Sequence, residues 1–231
     1  MSESFRDNYR VTYVVDLVFC IDTTGSMEHI IDIVKQNAIN LYTDIQKSMA
    51  EKNKKIDTMR VRLISFKDYL ADGMDAIATS EFFTLPSEAN DLKNCVSVFD
   101  ASGGGDDPED GLEALAFAMR SSWNNDGIKK RHVIVVWSDA PTHQIGYGRT
   151  ATNYPENMPE SFQALSLWWG DPQNPGLMDQ RAKRLLMFVP NAPEWSRITK
   201  EWDNVIHVPQ VSKGLNDLDY QEVISAISNS I

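Results

Sequence analysis

Three oxygen-bearing side chains, Asp22, Thr24 and Ser26, stand at alternate positions in the segment VVDLVFCIDTTGSM, Val14 to Met27. Side chains at that spacing can converge on one point, and hard oxygen donors are the ligands that Mg²⁺ takes. Two later segments carry groups of the same kind. SGGGDDPEDG brings Asp106 and Glu109, and HVIVVWSD ends on Asp139. Asp, Thr and Ser ahead of a helix are also ordinary caps, so each segment alone has a plainer explanation. The coincidence of three points to a cation.

A set so scattered in sequence needs a scaffold that gathers it. Val14–Ile21 is a mostly apolar run ending in a turn, the pattern of a strand buried on both faces of a parallel sheet. Ile30, Val34, Ala38, Leu41, Ile45 and Met49 then recur at helical spacing, which predicts one helix to about Ala50. MRVRLISF, Met59 to Phe66, reads as a second strand ending at Lys67 and Asp68. Glu81–Leu85 reads as a short antiparallel edge strand, and Ser87 as the cap of a short helix. Pro108 is expected to open another helix at its favoured first-turn position. Strands follow at 131–138, Leu185–Val189 and Val205–Val208, with helices at 193–202 and from Leu215 to Ile231, the last carrying Leu218. Alternating strands and helices predict an α/β fold. It is a Rossmann-like doubly wound sheet, mainly parallel with one antiparallel edge strand and helices on both faces. In such sheets the strand-to-helix loops emerge at one edge, where ligands bind.

Composition narrows the function. The chain has 231 residues and a net charge of −11, with no basic stripe, which argues against nucleic acid or an anionic membrane. The opening MSESFRDNYR lacks the apolar core of a signal peptide, and no apolar run approaches a membrane span. Cys20 and Cys95 read as buried thiols in a reducing compartment, so the expected location is cytoplasmic. Residues 1–231 are expected to form one domain, with an insertion at about 141–180 rich in Pro, Gly, Asn and aromatics.

The D-x-[ST]-x-S pattern of Asp22, Thr24 and Ser26 resembles the signature of the von Willebrand factor A (VWA) family. There it opens a metal-ion-dependent adhesion site for Mg²⁺ or Mn²⁺. GGGDDPEDGLEAL looks like the D-x-P-E loop of integrin β-subunit I-like domains, and HVIVVWSDAPTH is similar to their third-loop strand and turn. The resemblance implies that Asp22, Thr24, Ser26, Glu109 and Asp139 surround the principal metal. It also implies a second cation, such as Ca²⁺, at Asp68, Asp106 and Pro108. No further flanking site is expected, because His29 and Ile30 stand where its acids would be. The same loop occurs in stand-alone intracellular VWA proteins, which serve as scaffolds beside kinases, phosphatases or AAA+ ATPases.

The resulting expectation is a non-enzymatic module whose metal captures an Asp or Glu of a protein partner. Trp168, Tyr147 and His143 are its expected partner contacts, although the two tryptophans and His143 also suit loop packing. The alternatives are a metal-dependent hydrolase acting on a phosphate or amide, with Glu109, Asp139 and His143, and a purely structural cation. There is no P-loop, no G-x-S-x-G elbow and no G-x-G-x-x-G after the first strand. Thr24 stands where a D-x-D-x-T phosphatase needs its second Asp.

Overall fold

A computed structural model describes residues 11–105, 107–211, 215 and 219–231. The strands are β1 (Val11–Asp22), β2 (Lys54–Phe66), β3 (Ile77–Thr79), β4 (Phe83–Leu85), β5 (Lys130–Trp137), β6 (Lys183–Val189) and β7 (Val205–Pro209). They form one sheet in the order β3-β2-β1-β5-β6-β7, with β4 also on β2. β1, β2, β5, β6 and β7 run parallel. The antiparallel edge expected of one strand is shared by two three-residue segments, β3 and β4, both paired to β2. From β1 the chain crosses to β2 on one side, and from β5 it crosses to β6 on the other. The crevice between β1 and β5 is therefore the switch point of the sheet, the position at which such folds bind ligands.

The helices are α1 (Glu28–Asn37), α2 (Leu41–Glu51), α3 (Tyr69–Asp72), α4 (Ala89–Ser97), α5 (Gly111–Met119), α6 (Phe162–Trp169), α7 (Pro193–Glu201) and α8 (Tyr220–Ser230). Alternation along β1 divides them between two cores. Val15, Leu17, Phe19 and Ile21 pack with α1, α2, α4 and α8 on one face. Val18 and Cys20 pack with α5, α6 and α7 on the other. Asp16, buried in the same strand, is held by Arg60 at 2.8 and 2.6 Å and by the Asn124 amide at 2.6 Å. Both cysteines are free thiols, Cys20 buried and Cys95 half-buried. Among the described residues no helix is long and apolar enough to cross a membrane.

Several boundaries differ from the sequence reading. The first helix is two, α1 and α2, joined at residues 38–40. Asn37 bonds back to the Ile33 carbonyl at 2.8 Å and receives the Asn40 amide at 3.0 Å, so the ladder tightens there. The Lys54–Thr58 segment, read as a connection, already belongs to β2. Ser87 does not cap α4; its hydroxyl donates to the Thr84 carbonyl. α8 begins at Tyr220, and Leu218 lies outside the described residues. α5 starts at Gly111, three residues after Pro108, because Glu109 is paired with Thr142 and Asp110 accepts the Tyr69 amide.

α5 is buried on nearly every side, and two of its residues fix it in place. A Cβ on Gly111 would lie 2.5 Å from Trp195 Cη2, so the helix start can approach α7 only without a side chain. Glu113 is fully buried; one oxygen accepts from the Gly146 amide at 2.7 Å and the Tyr154 hydroxyl at 2.9 Å, tying the 141–180 segment to α5. Burial, with Asp110 nearby, lifts its pKa from 4.5 to about 8. Gly111→Ala should destabilise the fold by roughly 1–3 kcal/mol through overpacking, read as a lower denaturation midpoint. Glu113 gives a pH dependence of known sign. The folded state binds a proton that the unfolded chain has lost, so in EDTA stability should decline from about pH 5 to about pH 8. Glu113→Gln, which keeps an acceptor for Gly146 and Tyr154, should make that decline shallower.

Candidate metal-binding cleft

The site is assembled at the carboxyl ends of β1 and β5. Their register sets Ile21 beside Trp137, so the residues after them, Asp22 and Ser138, meet across the switch point. Ser138 Oγ donates to Asp22 Oδ2 at 2.7 Å. Asp22 Oδ1 accepts from the Thr24 amide at 2.9 Å and the Thr24 hydroxyl at 2.7 Å. Asp22 is wholly buried, and burial raises its pKa to about 6 in spite of these donors, with Asp139 adding a smaller push. One residue further on, Ser26 Oγ donates to Asp139 Oδ1 at 2.8 Å. The first and third loops are thus joined directly.

Glu109 is delivered by the second loop. Glu109 forms an isolated parallel bridge with Thr142. The Glu109 amide donates to the Pro141 carbonyl at 3.0 Å, and the Glu109 carbonyl accepts from the His143 amide at 2.9 Å. Thr142 Oγ1 donates to the same carbonyl at 2.9 Å. This fixing of the backbone leaves the side chain only 3% exposed. Its Oε2 is buried with no hydrogen-bond partner. Burial lifts the carboxyl pKa to about 9, and Asp22, Asp72, Asp68 and Asp110 add to the rise.

The glycine loop closes the site from above. Gly104 has φ +89°, and a Cβ there would stand 3.2 Å from Thr24 Cγ2 and 3.3 Å from Glu109 Oε1. Gly103, at φ +74°, would put a Cβ 2.0 Å from Asp72 Oδ1. Only glycine allows both the left-handed backbone and the close approach. The resulting cleft has a volume of about 380 Å³ and is lined by Thr24, Ser26, Gly104, Glu109, Asp139 and Pro141 among others.

The donor set fits a hard cation in a specific way. Among the described residues no three His, Cys, Asp or Glu side chains cluster closely enough to hold an ion by themselves. Three carboxylates supplemented by two hydroxyls suit an ion that keeps several waters, which is the habit of Mg²⁺. An undonated buried carboxylate oxygen beside a second buried acid is costly in the charged form, and a bound cation relieves that cost.

Asp22, Thr24, Ser26, Glu109 and Asp139, scattered over the sequence, are therefore brought to one end of the sheet. The other expected residues are placed differently. Asp68 caps α3 through the Leu70 and Ala71 amides, and its Oδ2 lies 3.3 Å from His143 Nε2. Pro108 immediately precedes Glu109, while Asp106 lies outside the described residues. His143 is buried beneath Tyr147, the rings stacked at 3.7 Å and 10°, and does not line the cleft. Trp168 is remote: it covers Arg120, just past the end of α5 opposite the cleft, at 5.7 Å. Trp169 is core, stacked on Trp202. Two supporting residues escaped the sequence reading. Ser138 could have been found from its place beside Asp139. Asp72, whose carboxylate accepts the Gly104 amide at 3.1 Å, carried no sequence signal within a segment read as loop.

Segments of several known proteins are similar to this chain. The chain is 26% identical over 154 residues to the alpha-protein kinase vwkA of Dictyostelium discoideum, covering 67% of this chain and 23% of that one. It is 27% identical over 136 residues to the putative ariadne-like RING finger protein R811 of Acanthamoeba polyphaga mimivirus, covering 59% of this chain and 12% of that one. The matched segment thus spans less than a quarter of either relative. Two crystal structures of the pilus adhesin SpaC from Lactobacillus rhamnosus GG superpose on 94% of the chain. Their TM-scores are 0.48 and 0.47, at 15% identity, covering 30% and 29% of the adhesin. The family model for the von Willebrand factor A domain matches residues 16–147, from the buried Asp16 to the exposed Tyr147. The chain belongs to the von Willebrand factor A domain family.

Proposed function

We propose that the cleft is a metal-ion-dependent adhesion site that holds Mg²⁺ or Mn²⁺ and captures a carboxylate of a protein partner. Membership of the family makes the chain a protein-interaction module in general terms. The metal-dependent form of that function rests on Glu109, whose buried Oε2 has no donor and which lies near enough to the buried Asp22 to feel its charge. Thr24 and Ser26 would contribute hydroxyls, and Asp22, Glu109 and Asp139 carboxylates. When bound, the ion supplies residual positive charge and an exchangeable position for an outside acid. The chain's own part is to hold the five groups together, exclude competing donors and turn one side of the ion to solvent.

The likeness of GGGDDPEDGLEAL to the D-x-P-E loop of integrin β-subunit I-like domains supports the role given to Glu109. A single ion is the form we propose. Asp68, the candidate anchor of a second, is already engaged by the start of α3 and by His143. Among the described residues the cleft is lined chiefly by carboxylates, hydroxyls and glycines, a lining that suits holding an ion and an outside acid. The cytoplasmic assignment is supported by two free cysteines. Partners in the kinase, phosphatase or AAA+ ATPase classes remain the proposal, and the likeness to a segment of an alpha-protein kinase supports the first of these.

Mg²⁺ or Mn²⁺ should raise the melting temperature, since a ligand of the folded state alone stabilises by about 2.7 kcal/mol at a hundredfold excess over Kd. Asp139→Ala should remove that shift while leaving the metal-free protein folded. A metal-induced shift of undiminished size in Asp139→Ala would remove this residue from the site. Generic phosphatase and esterase substrates should not turn over with Mg²⁺, and turnover lost in Asp22→Ala would favour the hydrolase instead.

A further inference from the structure

Three exposed apolar side chains, outside the lining of the cleft, stand on segments packed against its glycine loop and its third loop. They are Leu70, 49% exposed, Met74, 80%, and Tyr147, 49%. The three are held to the cleft by a continuous set of contacts. A Cβ on Gly105, which lines the cleft, would lie 2.5 Å from Ala71 Cβ, so α3 forms the outer side of the glycine loop. Asp68 accepts the Leu70 and Ala71 amides and meets His143, on which the Tyr147 ring is stacked. Asn153 Nδ2 donates to the Gly73 carbonyl at 2.6 Å, fastening the turn that carries Met74 to the 141–180 segment.

We propose that these three form a rim that is a second subsite of the partner surface. Its occupant is an extended peptide segment with Asp or Glu at one position and Leu, Ile, Met or Phe two positions away. The proposal rests on the metal reading above, which fixes where the acid goes. In an extended chain, side chains two apart point to the same side, so an acid in the cleft presents its second neighbour to the adjoining surface. The charge around the cleft selects against acidic flanks: Asp72 and Asp75 adjoin the rim, and Asp107 the cleft itself. An apolar flank instead gains contact with Leu70, with the flexible Met74 thioether and with the fixed Tyr147 ring. The arrangement divides the work, with the metal supplying the attraction to an acid and the rim the choice among acidic segments.

The test uses fluorescein-labelled synthetic nonapeptides carrying a central Glu, with Leu, Ser or Glu two positions away on either side. Binding to the whole chain is read by fluorescence anisotropy in Mg²⁺ and in EDTA. The Leu peptides should bind about tenfold more tightly than the Ser peptides, and only with Mg²⁺. Met74→Ser and Leu70→Ser, both at exposed positions, should erase the preference for Leu while leaving Mg²⁺-dependent binding of the Ser peptide unchanged. Equal Mg²⁺-dependent binding of the Leu and Ser peptides would overturn the rim and spare the metal reading. No Mg²⁺-dependent binding of any peptide would overturn both. A preference for Leu that survives in both variants, with unchanged melting temperatures, would place the apolar subsite elsewhere.

Discussion

The short backbone pairing between Glu109 and the chain from Pro141 to His143 is the constraint on which the rest depends. It is a two-strand bridge built outside the main sheet, and it draws the second loop against the third. With the pairing formed, Glu109 lines the cleft and lies close enough to the buried Asp22 to feel its charge. The helix that Pro108 would otherwise begin is delayed to Gly111, and Gly111 must then be a glycine to lie against Trp195. Gly104 must likewise be bare to pass over Thr24 and Glu109. Several unusual local features thus follow from one pairing.

Its electrostatic consequence is a site under tension. Burial raises both Asp22 and Glu109, to about 6 and about 9; Asp139 adds to the rise at Asp22, and Asp22 to the rise at Glu109. Donors have been provided for Asp22, two from Thr24 and one from Ser138, but not for Oε2 of Glu109. A core designed for stability alone would have supplied a partner or removed the acid. Perturbed acids gathered at a cleft are a feature of binding sites, and the cleft that Glu109 lines is open to solvent. It also lies at the switch point, where the fold itself leaves a crevice.

Much of this was legible in the sequence, and for identifiable reasons. Strands buried on both faces are continuous apolar runs, so β1, β5 and β6 announce themselves, and their order along the chain fixes the class of sheet. Asp22 and Asp139 could be read because each follows such a run immediately. Glu109 was found through the likeness of its loop, since its burial depends on a pairing with residues more than thirty positions away. Position along the chain says less. Tyr147 and Trp168 both belong to the segment after Asp139, and the structure stacks one on His143 and sets the other against Arg120, just past the end of α5. Asp72 and the exposed Met74 had no pattern to betray them, because a short helix of one turn has no periodicity.

A crystal grown with Mn²⁺ tests the central claim most directly, because the ion's anomalous scattering marks its position without reference to any partner. A single strong peak is predicted in the crevice between β1 and β5, within coordination distance of Ser26 Oγ and Thr24 Oγ1 and directly or through water of Asp22, Glu109 and Asp139. An empty crevice at saturating Mn²⁺, with Glu109 protonated or bonded to a displaced side chain, would contradict it.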